Sequence, residues 1–241
     1  MRALATAARV LRQLRRDHRT VALLLVVPLL LLTLLRYVFD SNPFLFDKVG
    51  GALLALFPFT TMFLVTSVAM LRERTTGTLE RLLTLPMTKA DLLLGYALAF
   101  GAVALVQTSL ASALVLGPLG LDISAPAPYV VVLAVCDALL GMALGLFTSA
   151  FARSEFQAVQ FLPAFVFPQL LLCGLFAARS TMAKPLQWAS DVFPLTYAVD
   201  GMQRLTRGDS GSGYLRDLVI VAGASVLALG LGAATLQRRS A

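Results

Sequence analysis

With 241 residues, 58% of them hydrophobic and only 14% charged, against about 25% charged in an ordinary soluble domain, the chain has the composition of an integral membrane protein. A span takes about 20 apolar residues, so the length leaves room for six spans and short loops but not for a soluble domain of ordinary size. The net charge of +7 comes without the basic patches and interleaved aromatics of a single-strand binder, so it points to topology and anionic lipid rather than nucleic acid.

The first element, residues 1–20, reads as an amphipathic helix lying along the inner membrane interface. Leu4, Ala7, Leu11 and Leu14 form one stripe, and Arg2, Arg9, Arg12, Arg16 and Arg19 gather opposite it, placed to meet lipid phosphates. This basic start and the apolar run after it resemble a signal peptide, but no small-residue cleavage site follows, so the run is expected to be an uncleaved first span. Apolar runs then fall at about 21–39, 49–71, 92–117, 129–151, 157–178 and 215–236, making residues 21–241 one six-span domain. Asn42 with Pro43, and Pro126 with Pro128, mark turns in the first two outer loops. The segment 179–214 is too polar to span and too apolar for a free loop. Its DVFPLTYAVDGM core suggests short helices re-entering the outer face, with Pro194 setting the entry.

Orientation follows from the bias of Lys and Arg. With both termini in the cytoplasm, the inner side holds thirteen cations and five acids, and the outer side seven of each. Asp137 stands alone inside a span. A carboxylate is costly there, but Asp137, Gly141, Gly145 and Ser149 share a face, and two glycines four residues apart let another helix approach closely. Helix packing is therefore the favoured role for Asp137, Gly141 and Gly145, ahead of a proton relay. Cys136 and Cys173 lie in apolar segments with no CxxC pairing and read as small buried hydrophobes.

A charged island, LRERTTGTLERLLTLPMTKADL over 71–92, interrupts the apolar runs. Gly77 and Thr78 open a short helix, Glu80 sits in its first turn and Pro86 closes it. Leu79, Leu82, Leu83 and Pro86 recur on one side, while Arg74, Glu80 and Arg81 stay wet. A two-faced helix on the surface of a lipid-embedded chain implies that something docks there. Thr88 and Asp91 form a capping box that starts the third span. The lone histidine, His18, excludes most catalytic triads and polyhistidine metal sites. None of Lys48, Lys89 and Lys184 ends a GxxxxGKS or GxxxxGKT phosphate loop, so ATP is not bound by that route.

The run E-R-x-x-G-T-L-E-x-L-L-x-x-P, beginning at Glu73, resembles the cytoplasmic loop of type-2 ABC transporter permeases. The likeness extends over nearly the whole chain, strongest over 71–96, 153–176 and 192–202. It implies an all-α membrane protein with six transmembrane helices, an interfacial helix at the N-terminus and a cytoplasmic coupling helix in the loop 72–91. It also implies a permease subunit, not an enzyme, with ATP and magnesium carried by a separate ABC ATPase. A second permease subunit, identical or homologous, completes the assembly in the bacterial plasma membrane. The ATPase-coupling residues carried over are Glu73, Arg74, Gly77, Thr78, Leu79, Glu80, Leu83 and Pro86.

In the fifth span Pro163 and Pro168 should kink the helix, and Phe161, Phe165, Gln169, Leu172 and Phe176 fall along one face. Phe57 and Phe59 flank Pro58 in the second. Because the family uses these two spans at its subunit interface, Phe57, Phe59, Phe161, Phe165 and Gln169 become a candidate substrate path. Plain packing is the competing reading. The implied activity is export of amphipathic drugs or natural products. The alternatives are a lipid or lipid-linked glycan as cargo, or an ATP-independent membrane transporter.

Overall fold

The computed structural model describes residues 2–78 and 88–235. Nine α-helices and one short 3₁₀ turn, with no strand, make up these residues. They are α1 (Arg2–Arg16), α2 (His18–Val38), α3 (Pro43–Thr75), α4 (Lys89–Leu116), α5 (Ala127–Thr148), α6 (Glu155–Leu172), α7 (Lys184–Val192), α8 (Pro194–Thr206) and α9 (Ser212–Thr235). Five of them, α2, α3, α4, α5 and α9, are long and apolar enough to cross a membrane, so this is an all-α multi-pass membrane protein. The expected fifth span, α6, is the one that falls short. It ends at Leu172 rather than near 178, because the chain turns at Gly174, whose φ of +88° is open to glycine at little cost.

Asp17 separates the first two helices. Its carboxylate accepts from the Thr20 amide at 3.1 Å and the Thr20 hydroxyl at 2.6 Å, which caps α2 and breaks the helix from α1. These two bonds hold its carboxyl below the usual range. Where α4 begins, the Thr88 hydroxyl accepts from the Asp91 amide and Asp91 accepts from the Thr88 amide.

α3 and α5 form the centre. A Cβ at Gly141 would lie 2.2 Å from the Phe59 carbonyl oxygen, and one at Gly145 would lie 2.4 Å from that of Phe63. The two helices therefore touch at backbone distance, and Phe59, Met62 and Phe63 are fully buried. α9 and α8 cover the far side of α5, with Gly201 of α8 set against Leu133. α2 is peripheral: 17% of its spanning stretch is buried, against 61% for α5.

α1 packs against α4 by one edge. Its buried residues are Thr6, Ala7 and Val10, with Thr6 pressed against Gly95 of α4. Of the expected apolar stripe, Ala7 is buried while Leu4 and Leu11 are exposed, and Arg9, expected with the arginines that meet lipid phosphates, reaches Glu73.

The segment 179–214 contains the 3₁₀ turn Arg179–Thr181 and the helices α7 and α8, which join at Phe193. Arg179 pins them by pairing with Asp191 of α7 and with Asp200 of α8, the latter at 2.7 Å. Burial is the main influence on the Asp200 carboxyl and raises it, with Arg179 opposing.

Candidate functional site

Around the end of α3, residues of α1, α4 and α6 meet it in a frame of charge-assisted contacts. Glu73, one turn from the end of α3, is 6% exposed and accepts from Arg9 Nη1 at 3.2 Å. Arg9 also reaches the Tyr96 hydroxyl of α4 at 2.5 Å and lies over the Tyr96 ring, 5.7 Å from its centroid. One residue earlier, Arg72 makes a two-point contact with Glu155 at the start of α6, 2.7 and 3.1 Å. Arg72 thereby holds the Glu155 carboxyl below its ordinary value. Arg74 donates to the Ser149 carbonyl just past α5, at 2.8 Å. Three consecutive residues, Arg72, Glu73 and Arg74, thus tie the end of one helix to three neighbours.

Immediately beyond, Gly77 takes a φ of +71°, a left-handed turn that ends α3, and the Thr76 and Thr78 hydroxyls lie 3.0 Å apart. Leu79, Glu80, Leu83 and Pro86, the rest of the expected docking helix, lie outside the described residues. Of the coupling residues carried over by resemblance, Glu73, Arg74, Gly77 and Thr78 are placed together at the mouth of this loop.

Between α1, α2 and α3 lies an open groove of about 720 Å³. Leu24, Val27, Leu31, Leu64 and Val68 make its walls apolar, and Thr60 and Thr61 supply hydroxyls near its far end. Both hydroxyls donate to the Phe57 carbonyl, at 3.0 and 2.7 Å. Gln13, Asp17, Arg72 and Glu73 line its polar mouth. Among the described residues no three His, Cys, Asp or Glu gather as metal ligands.

The aromatic residues proposed as a path are not brought to one surface. Phe59 is buried in the α3–α5 contact and Phe57 is half-buried on a neighbouring face. Phe161 and Phe165 meet edge to face with centroids 6.1 Å apart, and Phe165 is exposed. Gln169 is buried instead: its amide donates to the Phe165 carbonyl at 3.0 Å, and its oxygen accepts from the Leu195 amide at the start of α8 at 3.4 Å. Spacing of four residues advances about 40° per step around a helix, so Phe161 and Gln169 lie about 80° apart. From α6 only Leu162 lines the groove.

Asp137 is fully buried, and neither carboxylate oxygen has a hydrogen-bond partner; Gln107 of α4 is buried with its amide equally unpartnered. Arg9 and Tyr96 are functional candidates that sequence reasoning missed. A tyrosine one turn into an apolar span, where an arginine can reach from the interface, was the available signal.

The match to known proteins covers this same architecture. Residues 2–205 fit the family model described as ABC-2 type transporter. ABC transporter G family member 20 of Dictyostelium discoideum is 25% identical over 73% of this chain and 24% of its own length. The inner membrane transport permease YhhJ of Escherichia coli is 27% identical over 70% of this chain and 46% of its own length, with the same figures for its Shigella flexneri counterpart. The chain thus matches less than half the length of these relatives. The fit over residues 2–205, from α1 to the end of α8 and across the glycine-seamed centre, places this chain in the ABC-2 type transporter family.

Proposed function

We propose that this chain is the membrane-spanning permease subunit of an ATP-driven exporter, with α6 as its sixth transmembrane pass. It pairs with a second permease subunit, identical or homologous, and with an ABC ATPase that holds ATP and magnesium. The membrane is the bacterial plasma membrane with both termini cytoplasmic, which the Lys and Arg bias supports. The cargo is an amphipathic drug or natural product.

The observation that carries this reading is the ionic frame around the loop 72–91, in a chain of this family. A docked ATPase that displaces the loop pulls on the end of α3. Glu73 passes the displacement to α1 and α4 through Arg9, Arg72 passes it to α6, and Arg74 to the end of α5. A rigid end plate of this kind turns one local push into movement of several helices, which is what switching access across a membrane requires.

The experiment is co-purification of the chain with its ATPase, followed by ATP hydrolysis with and without candidate cargo. Leu79→Asp with Leu83→Asp, or Glu80→Lys, should weaken association while leaving membrane insertion intact. An unpaired buried charge in such a contact costs roughly 2–5 kcal/mol, enough to dissociate a micromolar complex. Undiminished association and cargo-stimulated hydrolysis in these variants would remove the coupling assignment.

A further inference from the structure

Beside the groove, and sharing Gln13 with it, lies a cleft of about 330 Å³ lined by Arg9, Gln13, Arg12 and Arg16. Arg9 is neutralised by Glu73. Arg12 directs its Nε at the Ala8 carbonyl at 3.1 Å, and neither Arg12 nor Arg16 has an acidic partner among the described residues. Two cations thus stand side by side at the inner end of an apolar groove. The groove runs from Thr20 to Leu31 along α2, eleven residues, or about 16 Å at 1.5 Å per residue, close to the half-thickness of about 15 Å of a bilayer's hydrocarbon core. Leu4 and Leu11, exposed on the next edge of α1, keep this helix at the level of the headgroups.

We propose that cleft and groove together hold one anionic phospholipid of the inner leaflet, its phosphate on Arg12 and Arg16 and an acyl chain against Val27, Leu31 and Leu64. Three features select this occupant: cations without partners, apolar walls one leaflet long, and the junction of the two at the depth where headgroup meets chain. The acids at the groove mouth each have a cation close by. Glu73 is paired with Arg9, and Asp17 is engaged by Thr20 with Arg72 nearby. The inference does not rest on the transport reading, since the site needs neither ATPase nor cargo.

The full chain in nanodiscs of equal phosphatidylglycerol and phosphatidylcholine is re-extracted in mild detergent, and the lipid retained per chain is weighed by native mass spectrometry. Phosphatidylglycerol should be retained in preference. Joint Arg12→Gln and Arg16→Gln substitution, on an exposed face and harmless to folding, should lower that preference by about thirtyfold, as expected for two surface cations, whereas Arg15→Gln should not. In a second arm, Leu31→Trp in a Trp188→Phe background reports on the groove through quenching by lipids brominated on the acyl chain. Brominated phosphatidylglycerol should quench more than brominated phosphatidylcholine, and the double arginine variant should erase the difference. Equal retention of both lipids, or a preference that survives the double variant, overturns the proposal. So does a tryptophan shielded from both lipids, which would put a second copy or a cargo molecule in the groove.

Discussion

The two sides of α3 were built for different purposes. Toward α5 it presents Phe59, Phe63 and Thr66 to a pair of glycines, and the helices close until a single methyl group would collide with a carbonyl oxygen. Thr66 even donates across that contact, to the Met142 carbonyl at 3.1 Å. Toward α2 the same helix shows Thr60, Thr61, Leu64 and Val68, and the facing helix offers leucines and valines rather than small residues. Branched side chains on both partners hold the backbones apart, and a groove of about 720 Å³ remains. Small residues decide which side is a seam and which can open, because lipid supplies no hydrophobic drive to close an imperfect fit.

The largest effect should therefore come from the seam. Gly141→Leu or Gly145→Leu cannot be absorbed by a side-chain rotation, since the obstacles are backbone atoms, and should cost about 3 kcal/mol or more. The readout is monodisperse protein after extraction and its thermal midpoint. Leu64→Ala or Val68→Ala on the groove side should leave both nearly unchanged. If all four variants behaved alike, the distinction between the two sides would fail.

A smaller effect, but a more informative one, is expected at the end of the same helix. Arg9→Ala leaves Glu73 buried without its cation, at a cost of about 2 kcal/mol after allowance for the part-exposed arginine. Glu73→Gln keeps a hydrogen-bond acceptor and should cost less. In a double-mutant cycle the two should be non-additive, and both should lower cargo-stimulated ATP hydrolysis more than basal hydrolysis. Additive stabilities, with stimulation intact, would reduce the frame to an unrelated pair of contacts.

What could be seen in the sequence follows the range of the signal. The all-helical membrane character is written in composition and in runs of apolar residues, each readable by itself. The seam was visible because Gly141 and Gly145 sit four apart on one helix, a local spacing with a direct steric meaning. The pairing of Arg9 with Glu73 spans 64 residues, and that of Arg72 with Glu155 spans 83. No local pattern records which cation meets which acid, and the helical wheel grouped Arg9 with Arg12 and Arg16 on the face meant for lipid phosphates. The groove was equally hidden, since it is the space left by two helices whose separation depends on both. The α6 residues show a different failure. Gln169 among phenylalanines reads as a polar group in a path, whereas in the folded chain it secures the first turn of α8.

Asp137 tests whether the seam carries chemistry or only packing. It lies four residues before Gly141, fully buried, with both oxygens unpartnered. A buried polar group without partners subtracts from stability, so Asp137→Ala, apolar and somewhat smaller, should be neutral or stabilising by about 1 kcal/mol, and the isosteric Asp137→Asn should change little. The thermal midpoint and cargo export are measured together. Export lost in a variant that folds normally would give the carboxylate a functional role and end the view of the seam as inert.

The smallest effect is expected where the frame is most exposed, at Arg72 and Glu155, whose side chains are 57% and 54% accessible. The hydrogen bond from Arg72 is the leading cause that lowers the Glu155 carboxyl below its ordinary 4.5. A carboxyl depressed in the folded state adds stability that is complete above the ordinary value and disappears as pH falls through the depressed one. The wild-type chain should therefore lose this increment only on acidification below about pH 4.5. Glu155→Gln, which has nothing to titrate, should lack the increment at neutral pH and converge with the wild type in acid. Solvent and salt screening hold the difference to about 0.5 kcal/mol at most, smaller still in high salt. The measurement is the thermal midpoint of both proteins across that pH range at two salt concentrations. A difference that grows in acid, or one indifferent to pH, would show that this pair does not brace α3 against α6 by charge, and would leave Glu73 and Arg74 as the contacts that anchor the inner end of the groove.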